Sequence, residues 1–281
     1  FAEMAGWLDN DLTAGAHPMK RQPRKTRSRA AKPHRVSVRE ISARDDGRRP
    51  RVSRQLSVLY EDDAVVVLDK PAGLLAVPIE GSQTPSAWSL LAAKLESKKQ
   101  RALVVHRIDR FASGALLFAK TAPDRSALVR QFLAHTPVRQ YLAVVRGRLD
   151  ISTATLVHYF RREGMFQHQR PARDPEATRA ELRYSVERLF ADASLVRVEL
   201  VTGLQNQIRV QFSATGHPIF GDRKYHRRES SEPLIDRVAL HAAHLEFIHP
   251  RSGRKISVDC KLPADFQHLV RELGRAGRGR G

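Results

Sequence analysis

Cysteine is almost absent from this sequence, and long apolar runs are absent altogether. Cys260 is the single cysteine among 281 residues, which excludes an intrachain disulfide framework and a zinc site built from several cysteines. No apolar run approaches the roughly 20 residues that a membrane-spanning helix requires. These absences predict a protein of the cytoplasm that has no membrane partner. The chain is long enough for one large domain with appendages or for two small domains.

Acidic residues are outnumbered throughout the chain. There are 30 of them against 49 lysines and arginines, which gives a formal net charge of +19. Residues 20–54 hold 14 of the basic residues and three acids, and residues 55–281 still carry +11 because residues 1–19 contribute −3. This excess favours nucleic acid as the partner, since neutralising phosphates releases counterions and drives binding. The alternative is a basic surface that is simply solvated.

Composition divides the chain into three parts. Residues 1–54 are rich in Arg, Lys, Ser and Pro and lack hydrophobic periodicity, which predicts a basic, largely disordered N-terminal extension. Residues 55–272 alternate apolar segments with turn residues and predict the folded domain. Residues 273–281 form a tail rich in glycine and arginine.

Short apolar runs separated by turns predict an α+β fold, with a mixed, mainly antiparallel β-sheet and flanking helices. Helices are predicted over residues 86–98 and 124–135, where apolar residues recur with helical spacing. Residues 208–212 and 240–247 predict regular structure without a defined type. Strands are predicted over residues 57–60, 64–68, 103–105, 115–119, 141–145, 180–189 and 195–201.

The segment from His106 to Gly114 concentrates charge around one acid. It reads His-Arg-Ile-Asp-Arg-Phe-Ala-Ser-Gly, so that Asp109 lies between Arg107 and Arg110. A single carboxylate in such a basic chain predicts an acid that acts on a polyanion. The alternative is that Asp109 only offsets its neighbours on a solvated loop.

Other segments carry groups with possible chemical roles. Residues 202–209 combine a glycine turn, three carboxamides and Arg209, which suits a phosphate, a base edge or a carboxylate; the alternative is a polar strand entry with Arg209 in solvent. Tyr141 could stack on a base or act as a weak general base, or it could be a core aromatic. His241 and His244 are three residues apart, but no acidic cluster accompanies them, and we expect no metal site.

Taken in order, several segments resemble the RluA-type RNA pseudouridine synthases, and the resemblance spans residues 56–271. The segments that carry it are Leu68-Asp69-Lys70-Pro71-Ala72-Gly73, His106-Arg107-Ile108-Asp109, Arg139-Gln140-Tyr141-Leu142, Gln207-Ile208-Arg209-Val210, and Gly216-His217-Pro218-Ile219 with Gly221-Asp222.

The resemblance implies an isomerase that converts uridine to pseudouridine in ribosomal or transfer RNA, held in a cleft of the folded domain. It implies no metal and no organic cofactor, and we expect a monomer. The catalytic residues would be Asp109, which acts at the ribose; Tyr141, which stacks on the detached uracil; and Arg209, which keeps Asp109 ionised. The residues implied to contact RNA are Lys70, His106, Arg107, Arg110, Arg139 and Asn206. The alternative function is an RNA-binding module of the same fold that no longer isomerises.

Three departures from the family pattern bear on RNA contacts and on the choice of substrate. Phe111 and Ala112 replace a pair that is commonly polar, and Leu204 replaces a frequent arginine. Asn206 stands where histidine is common, although asparagine is also compatible with the family.

Overall fold

The computed structural model describes residues 56–164, 166–226 and 234–276. The predicted N-terminal extension over 1–54 lies outside the described residues, and so do residues 277–281 of the predicted tail.

Within the described residues, one sheet of eleven strands runs through the domain. Its strands follow the order β1-β2-β4-β10-β5-β9-β8-β6-β7, with β3 paired to β4 and β11 paired to β10. The strands are β1 (Ser57–Glu61), β2 (Val65–Lys70), β3 (Leu103–Val104), β4 (Ser113–Ala119), β5 (Val138–Arg146), β6 (Thr153–Glu163), β7 (Phe166–Arg170), β8 (Thr178–Leu189), β9 (Ala193–Leu200), β10 (Leu240–Ile248) and β11 (Lys255–Asp259).

The described residues also form four helices, which are α1 (Ala87–Glu96), α2 (Ala122–Leu133), α3 (Gln207–Ala214) and α4 (Ala264–Ala276). α1 begins after a capping box, in which the Ser86 hydroxyl accepts from the Ser89 N–H and the Ser89 hydroxyl accepts from the Ser86 N–H. The Thr121 hydroxyl caps α2 in the same way, by accepting from the Asp124 N–H. Such caps satisfy backbone donors that have no partner inside the helix.

The apolar core has two main parts. In one, Leu91 and Leu95 of α1 pack with Val66 of β2 and Phe118 of β4. In the other, side chains of α3 and α4 pack against the sheet strands β5, β8 and β9. Every residue of β4 is buried, as expected of a strand at the centre of a covered sheet.

The predicted α+β class is confirmed, because the sheet is antiparallel except where β4 and β10 run parallel. The two predicted helices are also present, and the strands predicted over residues 180–189 and 195–201 pair with each other as β8 and β9. Residues 208–212, for which the sequence predicts no defined type, belong to helix α3 rather than to a strand. The boundary predicted at residue 272 falls inside α4, which continues to Ala276.

The parallel pairing of β4 with β10 requires a glycine at position 114. Gly114 has a φ of +113°, and a Cβ atom there would lie 2.3 Å from the carbonyl oxygen of Ala242. Ala242 is also the register partner of Tyr141 in β5. Gly114, Ala242 and Tyr141 therefore form one row across three strands, which brings the loop before β4 close to the side chains of β5.

Candidate active site

Asp109 lies in the loop that joins β3 to β4, directly before a tight turn. The Ala112 N–H donates to the Asp109 carbonyl at 3.2 Å, which closes this turn. The Asp109 side chain is 22% exposed, and its Oδ2 accepts from Nη1 of Arg209 at 3.4 Å. The predicted ion pair between Asp109 and Arg209 is therefore present, although it is long.

Arg209 has a second and closer acidic partner. Its Nε and Nη2 donate to the two carboxylate oxygens of Asp222, each at 2.8 Å, and the Asp222 side chain is fully buried. Burial by itself would lower the pKa of Arg209, but the hydrogen bonds and charges of Asp222 and Asp109 raise it above the ordinary value. The guanidinium thus stays charged and is held in one orientation by a bidentate pair.

Asn206 and Tyr225 complete the surroundings of Arg209. Asn206 adopts a left-handed backbone conformation just before α3, and its Oδ1 accepts from Arg209 Nη1 at 3.0 Å. Its Nδ2 donates to the Tyr225 hydroxyl at 3.4 Å, and the Arg209 guanidinium lies 5.5 Å from the centre of the Tyr225 ring. Asn206, predicted as an RNA contact, is buried, and these bonds orient Arg209.

Tyr141 lies in β5 and is buried. Its pKa is raised to about 12, mainly by burial; the charge of Arg139 opposes the shift, and the charge of nearby Asp109 adds to it. The phenol therefore keeps its proton at neutral pH. This favours stacking and hydrogen-bond donation over the role of a general base, which the sequence leaves open.

Lys70, which the resemblance implies as an RNA contact, has its side chain in the interior of the protein. Lys70 is fully buried, and its ammonium donates to the carbonyl oxygens of Pro71 and Leu74 at 2.9 Å and of Arg110 at 3.1 Å. Burial lowers its pKa to about 7, and the charge of Asp109 opposes that shift. Since all three protons are used internally, Lys70 supports the turn after Asp109 and has no proton left for a phosphate.

His106 and Arg139, also implied as RNA contacts, bond to the backbone of the protein; Arg139 is buried and His106 is partly buried. The His106 Nε2 accepts from the Leu117 N–H at 3.0 Å, and burial, with the charge of Arg139, lowers the pKa of the imidazole to about 3. Arg139 lies in β5 and donates to the carbonyl oxygens of Leu200 and Thr202, both at 3.3 Å. Both side chains stabilise the interior behind the site.

Arg107 and Arg110 are exposed on the two sides of Asp109. Arg110 is held in place, because its Nε donates to the carbonyl oxygen of Gly73 at 2.9 Å. Of the six residues predicted to contact RNA, these two have cationic groups on the surface next to Asp109.

Asp222, Tyr225 and Lys224 were not assigned roles from the sequence. Asp222 belongs to a segment that carries the family resemblance, but the sequence does not show that its partner is Arg209. The N–H groups of Lys224 and Tyr225 donate to Asp222 Oδ1 at 2.9 and 3.1 Å. The Lys224 ammonium lies 5.3 Å from the Tyr225 ring, which adds positive charge beside Arg209.

Ser113 and His241 form a buried pair on β4 and β10. The His241 Nε2 lies 3.0 Å from the Cys260 carbonyl oxygen and must donate to it, so that Nδ1 accepts from the Ser113 hydroxyl at 2.9 Å. His244 pairs instead with Asp259 at 2.8 Å. In the part of the chain that the structure describes, no three His, Cys, Asp or Glu residues are grouped to bind a metal ion.

The site as a whole offers a half-buried carboxylate, a fixed cation, and a neutral tyrosine on the neighbouring part of the sheet. Such a carboxylate can attack or stabilise an electron-poor carbon, since the cation favours its ionised form. None of the four helices in the described residues is long and apolar enough to span a membrane.

Comparison with known proteins gives a consistent result. Residues 64–214 match the family model for RNA pseudouridylate synthase. The chain is 33% identical over 230 residues to the ribosomal large subunit pseudouridine synthase D of Zymomonas mobilis, which covers 78% of this chain and 73% of that protein. It is 34% identical over 232 residues to the protein of the same name from Nitrosomonas europaea, of which it covers 65%.

The fold is also similar to that of a solved human structure, RNA Pseudouridylate Synthase Domain Containing 4. The TM-score is 0.65 at 22% identity, with 78% of this chain and 93% of the human chain covered.

Proposed function

The chain belongs to the RNA pseudouridylate synthase family, and from this membership we propose that it isomerises uridine to pseudouridine in structured RNA. The observation that carries the proposal is the ion pair of Asp109 with Arg209, which is itself oriented by Asp222. A binding module would have no need of an ionised carboxylate next to the RNA phosphates, because such a charge repels them.

In the proposed reaction, Asp109 acts at C1′ of the ribose while the bond to uracil breaks. The target uridine is stacked in its RNA and must first be turned outward. The exposed Arg107 would support the backbone that the uridine leaves. Arg209 keeps the carboxylate ionised, and this preorganised charge is expected to contribute strongly to the rate.

Tyr141 would retain the uracil after the bond breaks. Its ring can stack on the base, and its raised pKa keeps the hydroxyl protonated and able to donate a hydrogen bond. The uracil then turns and rejoins the ribose through C5. The C5 proton is lost and N1 takes up a proton, so that the product is an isomer of uridine.

The RNA to test first is ribosomal RNA, because the two bacterial relatives are named for the large ribosomal subunit. Transfer RNA is the second substrate to test. We also propose that the protein acts as a monomer in the cytoplasm, which size-exclusion chromatography and cell fractionation can examine.

The deciding experiment compares the wild-type chain with Asp109→Asn on ribosomal and transfer RNA transcripts, followed by chemical mapping of pseudouridine. The asparagine keeps the size of the side chain but removes its charge, so we expect conversion to fall by a factor of about 10⁴ or more. RNA binding, measured by filter retention, should persist.

Equal conversion by both proteins would contradict the role of Asp109. Binding without conversion by the wild-type chain would favour the alternative of an RNA-binding module.

A further inference from the structure

Phe111, Ala112 and Leu204, which depart from the family pattern, occupy very different places in the structure. Ala112 is buried in the main core, at 1% exposure. Leu204 is partly buried and packs against the small cluster of Phe160, Ala180 and Val210. Phe111, in contrast, is 45% exposed. Of these three residues, only Phe111 therefore has an exposed side chain beside Asp109.

Phe111 lies at the corner of a turn that is held firmly. The preceding residue, Arg110, accepts at its carbonyl oxygen from the Gly73 N–H at 2.8 Å and from the Lys70 ammonium at 3.1 Å. Its own Nε donates back to the Gly73 carbonyl at 2.9 Å. These bonds tie the turn to the loop after β2, so the backbone that carries Phe111 has a defined position.

The exposed ring of Phe111 is paired with a cation. The Arg110 guanidinium lies 5.4 Å from the ring centre. Exposed aromatic rings and arginine planes are the surfaces on which RNA bases stack, and neighbouring cations attract the phosphate backbone. The pair therefore has the chemistry of a stacking surface for a nucleotide.

The position of Phe111 limits which nucleotide it can reach. It is two residues from Asp109, which corresponds to at most about 7.6 Å between the Cα atoms. The target uridine is turned out of its stack, but the RNA backbone still joins it to its two neighbours, which therefore stay close to it. A base next to the target uridine therefore lies within reach of the ring when that uridine is at Asp109.

We propose that Phe111, together with the Arg110 guanidinium, stacks on a nucleotide adjacent to the target uridine and contributes to the choice of RNA. This inference rests on the proposed function and adds a specificity-determining contact to it. Ala112 and Leu204 have no corresponding contact, because their side chains pack inside the protein.

The test uses the full chain and a short RNA hairpin that contains a uridine mapped as above. A second and a third hairpin replace the nucleotide on the 5′ or the 3′ side of that uridine with an abasic site. For the wild-type chain, we expect kcat/KM to fall about tenfold on one of the two abasic hairpins, since a stacked base contributes this much.

Phe111→Ala should lose a similar factor of about ten on the intact hairpin. On the abasic hairpin that slows the wild-type chain, kcat/KM of Phe111→Ala should be no lower than on the intact hairpin. Phe111→Tyr retains a ring, so it should again convert the intact hairpin with a higher kcat/KM than this abasic hairpin. Ile151→Ala is the matched control, because Ile151 is an exposed apolar residue outside the site, and it should behave as the wild-type chain.

The outcomes separate this inference from the proposed function. If the wild-type chain converts the RNA and Phe111→Ala has the same kcat/KM, the stacking contact is overturned but the proposed function is not. The contact would also be overturned if kcat/KM of Phe111→Ala on the abasic hairpin fell by the product of the two single losses. The substitution and the abasic site would then act independently. Absence of any conversion by the wild-type chain would overturn the proposed function and this contact together.

Discussion

At the scale of single residues, the site depends on how one guanidinium is divided between two carboxylates. Asp222 holds Arg209 by two hydrogen bonds of 2.8 Å, whereas Asp109 receives one of 3.4 Å. The closer pair fixes the orientation of the cation, and the looser pair leaves Asp109 able to move toward a ribose. In the proposed reaction, Asp222 would thus be a positioning residue that acts through Arg209.

Asp222→Asn is expected to destabilise the protein by about 3 kcal/mol, because it leaves a buried guanidinium with an incomplete partner. Conversion of RNA should fall as well, since Arg209 loses its fixed orientation. Urea unfolding measures the first effect, and single-turnover kinetics with the folded variant measure the second.

Asp265→Asn is the matched control for this substitution. Asp265 also pairs with an arginine, Arg237, through two hydrogen bonds, but its side chain is 49% exposed. Its loss should reduce stability less and leave the rate of the folded enzyme unchanged. Equal kinetic losses for the two variants would show that Asp222 has no special role in the reaction.

At the scale of secondary-structure elements, the site is assembled by a close approach of backbones in the sheet. Gly114 of β4 faces Ala242 of β10, and Ala242 faces Tyr141 of β5. This row brings the loop of Asp109 and the side chain of Tyr141 to the same part of the sheet. The approach depends on the missing Cβ atom at position 114.

Gly114→Ala should therefore destabilise the protein by at least about 3 kcal/mol, since the new methyl group would overlap a carbonyl oxygen at an unfavourable φ. Gly216→Ala provides the control. Gly216 also has a positive φ, of +81°, but no atom lies within 4 Å of the place that a Cβ atom would take, so we expect a loss of about 1–2 kcal/mol.

Urea unfolding of both variants separates the backbone strain, which they share, from the steric overlap, which only Gly114→Ala introduces. Equal losses would mean that the sheet has room for a Cβ atom at position 114.

At the scale of the whole molecule, the net charge of +19 is expected to govern the affinity for RNA. The cations next to Asp109 are few, because Lys70 and Arg139 are buried and the His106 imidazole accepts a backbone hydrogen bond from Leu117. The basic residues between positions 20 and 54 offer a second source of phosphate contacts, and we propose that they bind the RNA backbone outside the site.

Replacing the eight lysines and arginines of residues 20–35 with glutamine in the full chain should weaken RNA binding and flatten its salt dependence. Each phosphate contact that is lost lowers the slope of log K against log salt by about 0.7 to 0.9. Fluorescence anisotropy over a series of salt concentrations measures both quantities.

A chain in which the order of residues 20–35 is scrambled is the control, because the counterion effect depends on charge rather than on sequence. It should retain the wild-type slope. An unchanged slope for the glutamine variant would mean that this segment does not contact RNA.

Much of the fold was predictable because its signals are local. The helix after Ser86 and the hairpin of β8 and β9 follow from capping, apolar spacing and a short polar turn. The type of residues 208–212 was not predictable, since a short apolar run fits a strand as well as a helix. The pairing of β4 with β10 was not predictable either, because more than 120 residues separate the strands.

For the candidate site, the sequence by itself predicts Asp109, Tyr141 and Arg209, through the order of motifs along the chain. Only the tertiary structure decided which charged side chains face solvent: Arg107 and Arg110 do, whereas Lys70 is buried among carbonyl oxygens. It also decided that Asp222 is the main partner of Arg209. The sequence shows which residues carry charge, but burial and pairing arise because distant segments meet only in the folded chain.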